Sequence, residues 1–292
     1  MDSRLTDLVR VLELERVEDN IFRGASRDIG SPQVFGGQVL GQALRAAYYT
    51  APADRAVHSL HAYFLRRGDF SAPIVYFVDR SRDGASFSSR RVTAIQHGEQ
   101  IFHMSASFQV PEGGFEHQLT APDVPPPEAL HDTRALPEEI LRQLPDKVRQ
   151  YLQRIRPFEF RFVNLDRLIG RVPGMSQHHL WLRTIDRLPD DEILHRTLLA
   201  YVSDYNLLGT ALLPHQYLTQ LGNVVLASVD HAMWFHRPVR ADEWLLYSLD
   251  SPSASGSRGF ARGSLFNREG VLVASTAQEG LMRQVTAASP GS

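Results

Sequence analysis

The chain has 292 residues, enough for two domains of ordinary size, and its 43% hydrophobic and 22% charged residues match an ordinary globular protein. A formal charge of -2 offers no basic footprint for nucleic acid, and zero Cys excludes disulfides, thiolate metal sites and a thiol nucleophile. No run of about eighteen apolar residues occurs, so no membrane span is expected.

The start, Met1 to Asp7, carries acids early and lacks the apolar core of a signal peptide. Leu5, Leu8, Val9 and Leu12 have helical spacing, and Asn20 to Arg23 reads as the beginning of a strand. Val34 to Ala47 predicts an apolar helix opened by two glycines. Backbone N–H groups at Gly36, Gly37 and Gln38 would then lie uncovered at a helix N-terminus, where they suit an oxyanion or carbonyl oxygen. The plainer reading of such a glycine pair is a turn.

Four strand-like segments follow, Val57 to Leu65, Ile74 to Arg80, Ser88 to Gln96 and Gln100 to Val110, with hairpin turns at Arg82 to Ala85 and Gln96 to Gln100. A helix followed by an antiparallel meander is an α+β unit. Composition shifts at Pro111 to Gly114 and again at Pro122 to Pro127, so 1–112 is read as one domain, 113–135 as a surface linker and 136–286 as a second domain.

Leu136 to Ile155 reads as a charged helix, and Phe158 to Val163 and His178 to Ile185 as strands. Leu188-Pro-Asp-Asp opens a further helix, with acids in its first turn. Leu194, Leu198, Tyr201, Tyr205 and Leu208 form an apolar stripe along it, and Asp204 sits on or beside that stripe. A carboxylate so placed must be hydrogen-bonded, shift its pKa or do chemistry. A rim Asp paired with an Arg is the plainer alternative.

Leu226 to Phe235, Glu243 to Asp250, Ser257 to Phe266 and Val271 to Arg283 repeat the four-strand meander, with a turn at Asn267 to Gly270. The repetition is legible in the letters. Ser228 to Arg237 echoes His58 to Arg66, at an offset of 170 from His61 to His231, and Phe102 to Gln109 echoes Val271 to Gln278, at 169 from Gln109 to Gln278. Two blocks in the same order indicate a duplicated, domain-sized unit with the pseudo-symmetry of a homodimer. Residues Ala287 to Ser292 read as a frayed tail without a terminal Ser-Lys-Leu, leaving cytoplasmic as the default expectation.

Six strings together resemble the acyl-CoA thioesterase II family of fused double hotdog proteins. They are Val34 to Val39, His58 to Asp69, Tyr201 to Asn206, Asp230 to Pro238, Trp244 to Tyr247 and Val273 to Gly280. The likeness spans about Arg23 to Arg283. It implies two helix-wrapped antiparallel sheets joined edge to edge, fatty acyl-CoA as substrate, no cofactor beyond the CoA of the substrate, and a homodimer or homotetramer. In that family a water is activated by an Asp on the second-domain helix, a Ser or Thr opening a strand and a Gln on a later strand. Carried over by motif, these are Asp204, Ser228 and Gln278, with Ser228 standing where some relatives have Thr.

The first half matches this trio only in Gln109. His58 stands at the Ser228 place, and the first helix has no acid, so one working centre per chain is expected. His58 reads as a structural imidazole, and His61 and His231, at equivalent places, as packing residues. No His-Glu-x-x-His motif indicates a metal, and no Gly-x-Ser-x-Gly elbow indicates a serine hydrolase. Arg90, Arg91, Arg258 and Arg262 are candidates for the CoA phosphates, with solubility as their alternative role. Two other functions stay open, a hotdog enoyl-CoA hydratase, which would need a cooperating His, and a non-catalytic acyl-CoA binder.

Overall fold

The computed structural model describes residues 1–30, 33–142, 144, 146–154, 156–165, 176–215 and 224–284. The first half contains α1 (Ser3–Leu12), β1 (Glu15–Glu18), β2 (Ile21–Gly24), α2 (Gly36–Tyr48), β3 (Ala56–Phe64), β4 (Ile74–Asp83), β5 (Phe87–Gln96) and β6 (Glu99–Gln109). The second holds two short helices, α3 (Glu138–Leu141) and α4 (Asp146–Leu152), then β7 (Phe158–Phe162), β8 (Gln177–Thr184) and α5 (Glu192–Ser203). A 3-10 stretch (Leu208–His215) leads to β9 (Val224–Ser228), β10 (Asp230–Phe235), β11 (Leu245–Ser255), β12 (Arg258–Phe266) and β13 (Leu272–Gln284).

All these strands join one antiparallel sheet in the order β1-β2-β4-β5-β6-β3-β10-β13-β12-β11-β8-β7, with β9 also on β13. The halves therefore meet strand to strand at β3 and β10. The pairing there is symmetric about His61 opposite Ala232, with Ala62 opposite His231 and Leu60 opposite Met233. Alternation in the strands puts one face inward, as in β5, where Ser88, Arg90, Val92 and Ala94 are buried between more exposed neighbours. Onto that face pack the helices. Leu40, Ala43, Leu44 and Ala47 of α2 and Leu198, Leu199 and Ala200 of α5 are fully buried, and the two helices lie against each other.

Several sequence expectations are corrected here. The charged stretch from Leu136 is two short helices instead of one, and Ile155, its expected end, lies outside the described residues, as does the tail from Ala287. Helix α5 stops at Ser203, with Asp204 as its C-cap, and Asn206 takes up a left-handed φ of 65°, which a helix cannot continue through. Pro-rich residues before Pro127 run over the second half. Trp181 Nε1 donates to Pro125 O, Gln118 Nε2 donates to Gly270 O, and Ala121 and Val124 pack on the Trp181, Trp244 and Phe266 cluster.

The register also changes which residues correspond between the halves. Leu60, not His61, is the counterpart of His231. Leu60 in turn pairs with Ala106, the place that Gln278 holds beside His231. Two residues further on, Phe108 opposite Val57 matches Gly280 opposite Ser228. The first-half counterparts of the polar pair and the serine are thus apolar and buried, whereas Gln109 closes the far end of β6 against Ala56.

Candidate active site

The C-terminus of α5 meets the N-terminus of α2, one from each half. Asp204 Oδ2 accepts from the Gly37 backbone N–H at 2.9 Å, and Oδ1 accepts from Gln278 Nε2 at 2.8 Å. Glycine is required at the helix entrance. A Cβ at Gly37 would stand 2.2 Å from Tyr201 O, and one at Gly36 would stand 2.8 Å from Asp204 Oδ2. The positive end of α2 then favours the charged form of the carboxylate. Burial acts more strongly in the opposite sense, raising the Asp204 pKa above the ordinary carboxylate value, while the bonds from Gln278 and Gly37 pull it down.

Gln278 is fully buried on β13, and its Oε1 has no hydrogen-bond partner among the described residues. Its Nε2 also lies 3.2 Å from His231 Nδ1, and His231 Nε2 is 3.0 Å from Ser203 Oγ, which donates to Ala200 O. Burial lowers the His231 pKa to about 3, so this imidazole is neutral. The sequence places His231 as a packing residue, and the structure adds its bonds to Gln278 and Ser203.

Ser228 reaches the same face through an irregularity. Val229 N donates to Glu279 O, and Glu279 N donates to the Asp230 side chain at 2.6 Å instead of to a backbone carbonyl, so two residues oppose one. This extra residue turns Ser228 and His231 to the same side of the sheet, where Gln278 also points. Ser228 lines a cavity of about 180 Å³ with Gly36, Val34, Val39, Phe64 and Phe102. Asp204 lines a neighbouring cavity of about 340 Å³ with Phe35, Tyr205, Arg27, Arg154 and Arg156. Asp204 and Gln278 are in contact, whereas Ser228 lines the separate cavity onto which Gly36 opens and makes no hydrogen bond to either of them.

The three helix-entrance groups are not equivalent donors. The Gly37 N–H is committed to Asp204, and the Gln38 N–H goes to Phe35 O, while the Gln38 side chain bonds Arg27 N and Ala25 O. Gly36 N–H alone of the three has no acceptor among the described residues. His58 sits apart from the cluster, bonded to Ser107 Oγ at 2.8 Å and edge-on to Phe87. Arg90 is buried and held by Asp83 and both oxygens of Thr50, Arg258 bonds Glu279 and Arg262 bonds Asp250. No group of three or more His, Asp or Glu suited to a metal occurs among the described residues.

A helix-wrapped antiparallel sheet, doubled and fused across β3 and β10, with a polar cluster at the meeting of its helices, is a double hotdog architecture of α+β class. The family model "Acyl-CoA thioesterase" matches residues 152–281, and "Acyl-CoA thioesterase N-terminal domain" matches residues 24–109. The chain is 43% identical to acyl-CoA thioesterase 2 of Haemophilus influenzae, over 97% of this chain and 99% of that protein. It is 42% identical to human acyl-coenzyme A thioesterase 8, over 97% and 90% of the two chains. The crystal structure of an acyl-CoA thioesterase II from Mycobacterium marinum superposes with a TM-score of 0.78 at 44% identity, over 95% of this chain and 98% of that one. This chain belongs to the acyl-CoA thioesterase family and is an acyl-CoA thioester hydrolase.

Proposed function

We propose that the enzyme converts fatty acyl-CoA to free fatty acid and CoA with a water held by Asp204, Gln278 and Ser228. The observation that carries this is the buried Asp204 carboxylate, gripped by Gly37 of one half and Gln278 of the other, with an unpaired Gln278 Oε1 beside it. A water donating to Asp204 and to Gln278 Oε1, and accepting from Ser228, keeps a lone pair for the thioester carbon. Asp204 takes the proton as the carbon–oxygen bond forms, and the oxyanion gathers at the Gly36 N–H. Collapse breaks the carbon–sulfur bond, and the proton held by Asp204 passes to the departing CoA thiolate.

Apolar Val34, Val39, Phe64 and Phe102 suit the first carbons of an acyl chain. A hydratase would need an imidazole that reaches substrate. Here His231 is wholly buried with both nitrogens engaged, and His58 is elsewhere. The same proposal takes the enzyme as a cytoplasmic homodimer or homotetramer, supported by Tyr63, Phe77, Phe87 and Trp234, which expose apolar rings on the sheet. Among the described residues, no helix is long and apolar enough to cross a membrane.

A thiol-release assay across acyl-CoA chain lengths tests the mechanism. Asp204→Asn is expected to lower kcat by on the order of 10²-fold or more. Undiminished hydrolysis would remove Asp204 from the reaction.

A further inference from the structure

We infer that His231 is a positioning residue, whose lone-pair nitrogen fixes the Gln278 amide so that its oxygen, not its NH2 group, faces the attacking water. This rests on the water-activation reading above. The two hydrogens of Gln278 Nε2 have one acceptor each, Asp204 Oδ1 at 2.8 Å and His231 Nδ1 at 3.2 Å. Rotating the amide by half a turn would set its oxygen against a carboxylate oxygen and a ring lone pair, both repulsive.

That orientation holds only while Nδ1 lacks a hydrogen, and the surroundings enforce this. A backbone carbonyl can only accept, so Ser203 Oγ spends its hydrogen on Ala200 O, 2.9 Å away. The same oxygen then accepts from His231 at 3.0 Å, which places the ring hydrogen on Nε2. A chain of hydrogen bonds thus runs from the accepting carbonyl of Ala200 on α5 to the accepting carboxylate of Asp204, one residue after Ser203. The free amide oxygen is its result.

The ring is completely buried, and both of its nitrogens are engaged within the protein, Nε2 by Ser203 and Nδ1 by Gln278. In the first half the same pair of positions is Leu60 and Ala106, so the imidazole and the amide are present together in one half and absent together in the other.

The test is a double-mutant comparison in the full-length enzyme, with folding checked by thermal melting. His231→Leu is expected to lower kcat on the order of 10- to 100-fold with KM nearly unchanged, because the amide is then free to turn. His231→Asn, which restores an acceptor near the Nδ1 position, is expected to recover most of that loss. In a Gln278→Met background, whose own kcat is low, His231→Leu should cost nothing more. If His231→Leu lowers kcat by the same factor with and without Gln278, the residue is structural and the inference fails. Full activity of His231→Leu alone also defeats it. Full activity of both Gln278→Met and Asp204→Asn instead overturns the underlying mechanism, so the two failures are distinguishable.

Discussion

Asp204 joins a structural role to a chemical one, and its titration exposes both. Burial raises its pKa above the ordinary 3.8, so its basic form is depleted in acid and recovered as pH rises through the raised value. The expected kcat/KM profile therefore has an acid limb above 3.8 and no limb near 6.5 from His231, whose pKa lies at about 3. Gln278→Met removes a hydrogen bond that stabilises the carboxylate, so the limb of its residual activity should move to higher pH. Profiles of the two enzymes check this, and a limb that stays in place would separate Gln278 from Asp204. Asp204 and Gln278 could be named from sequence because the surrounding strings carry them. The partnership of His231 could not, since it depends on a one-residue irregularity at Val229 and Asp230 that turns the ring inward. Arg90 misled in the opposite sense. Its place in an alternating strand reads equally as surface or interior, and only the positions of Thr50 and Asp83 show that it ties the end of α2 to β5.

The entrance of α2 is the element on which the two halves depend together, and its two glycines should fail in different ways. At Gly37 an added Cβ would meet the backbone oxygen of Tyr201 at 2.2 Å and the Phe35 ring at 2.4 Å, so α2 and α5 would have to separate. Gly37→Ala is expected to destabilise the fold by about 3 kcal/mol. At Gly36 the obstruction is the Asp204 carboxylate oxygen at 2.8 Å, the end of a side chain that can swing away. Gly36→Ala should keep most of its stability yet lose on the order of 10²-fold in kcat, because a small displacement of the base is enough. Urea unfolding beside thiol release separates the two, and equal losses of stability would contradict the assignment. Helix, meander and duplication were all legible from spacing and repeated strings. Correspondence between the halves was not, because the turn from β12 to β13 is longer than the His97-Gly98 turn from β5 to β6. Matching letters therefore pair Gln278 with Gln109, although the sheet sets it at the place of Ala106.

One sheet running through both halves, with α2 and α5 packed against each other, makes independent unfolding of either half costly, since each would expose the central edge of the other. A single cooperative transition is the consequence, so protonation anywhere in the native state weighs on the stability of the whole. His178 on β8 lies far along the sheet order from the β3–β10 junction and shows this plainly. Burial lowers its pKa from 6.5 to about 3, and its Nε2 donates to Thr210 Oγ1 at 3.0 Å, since the Thr210 hydroxyl is already given to Asn206 O. His231 is depressed to about 3 by the same cause. Both rings stay neutral in the native state at pH values where the unfolded chain binds a proton at each, so stability is complete above 6.5 and is lost as pH falls from 6.5 toward 3. His178→Gln keeps a donor for Thr210 but cannot titrate. Its unfolding free energy should decline less steeply than wild type between about pH 5.5 and 4, by one proton or ~1.4 kcal/mol per pH unit. Catalysis at neutral pH should be unchanged, because Thr210 and Asn206 do not bond the Asp204 cluster through His178. Urea titrations at three or four pH values measure both slopes, and identical slopes would mean that His178 takes up its proton in the folded enzyme.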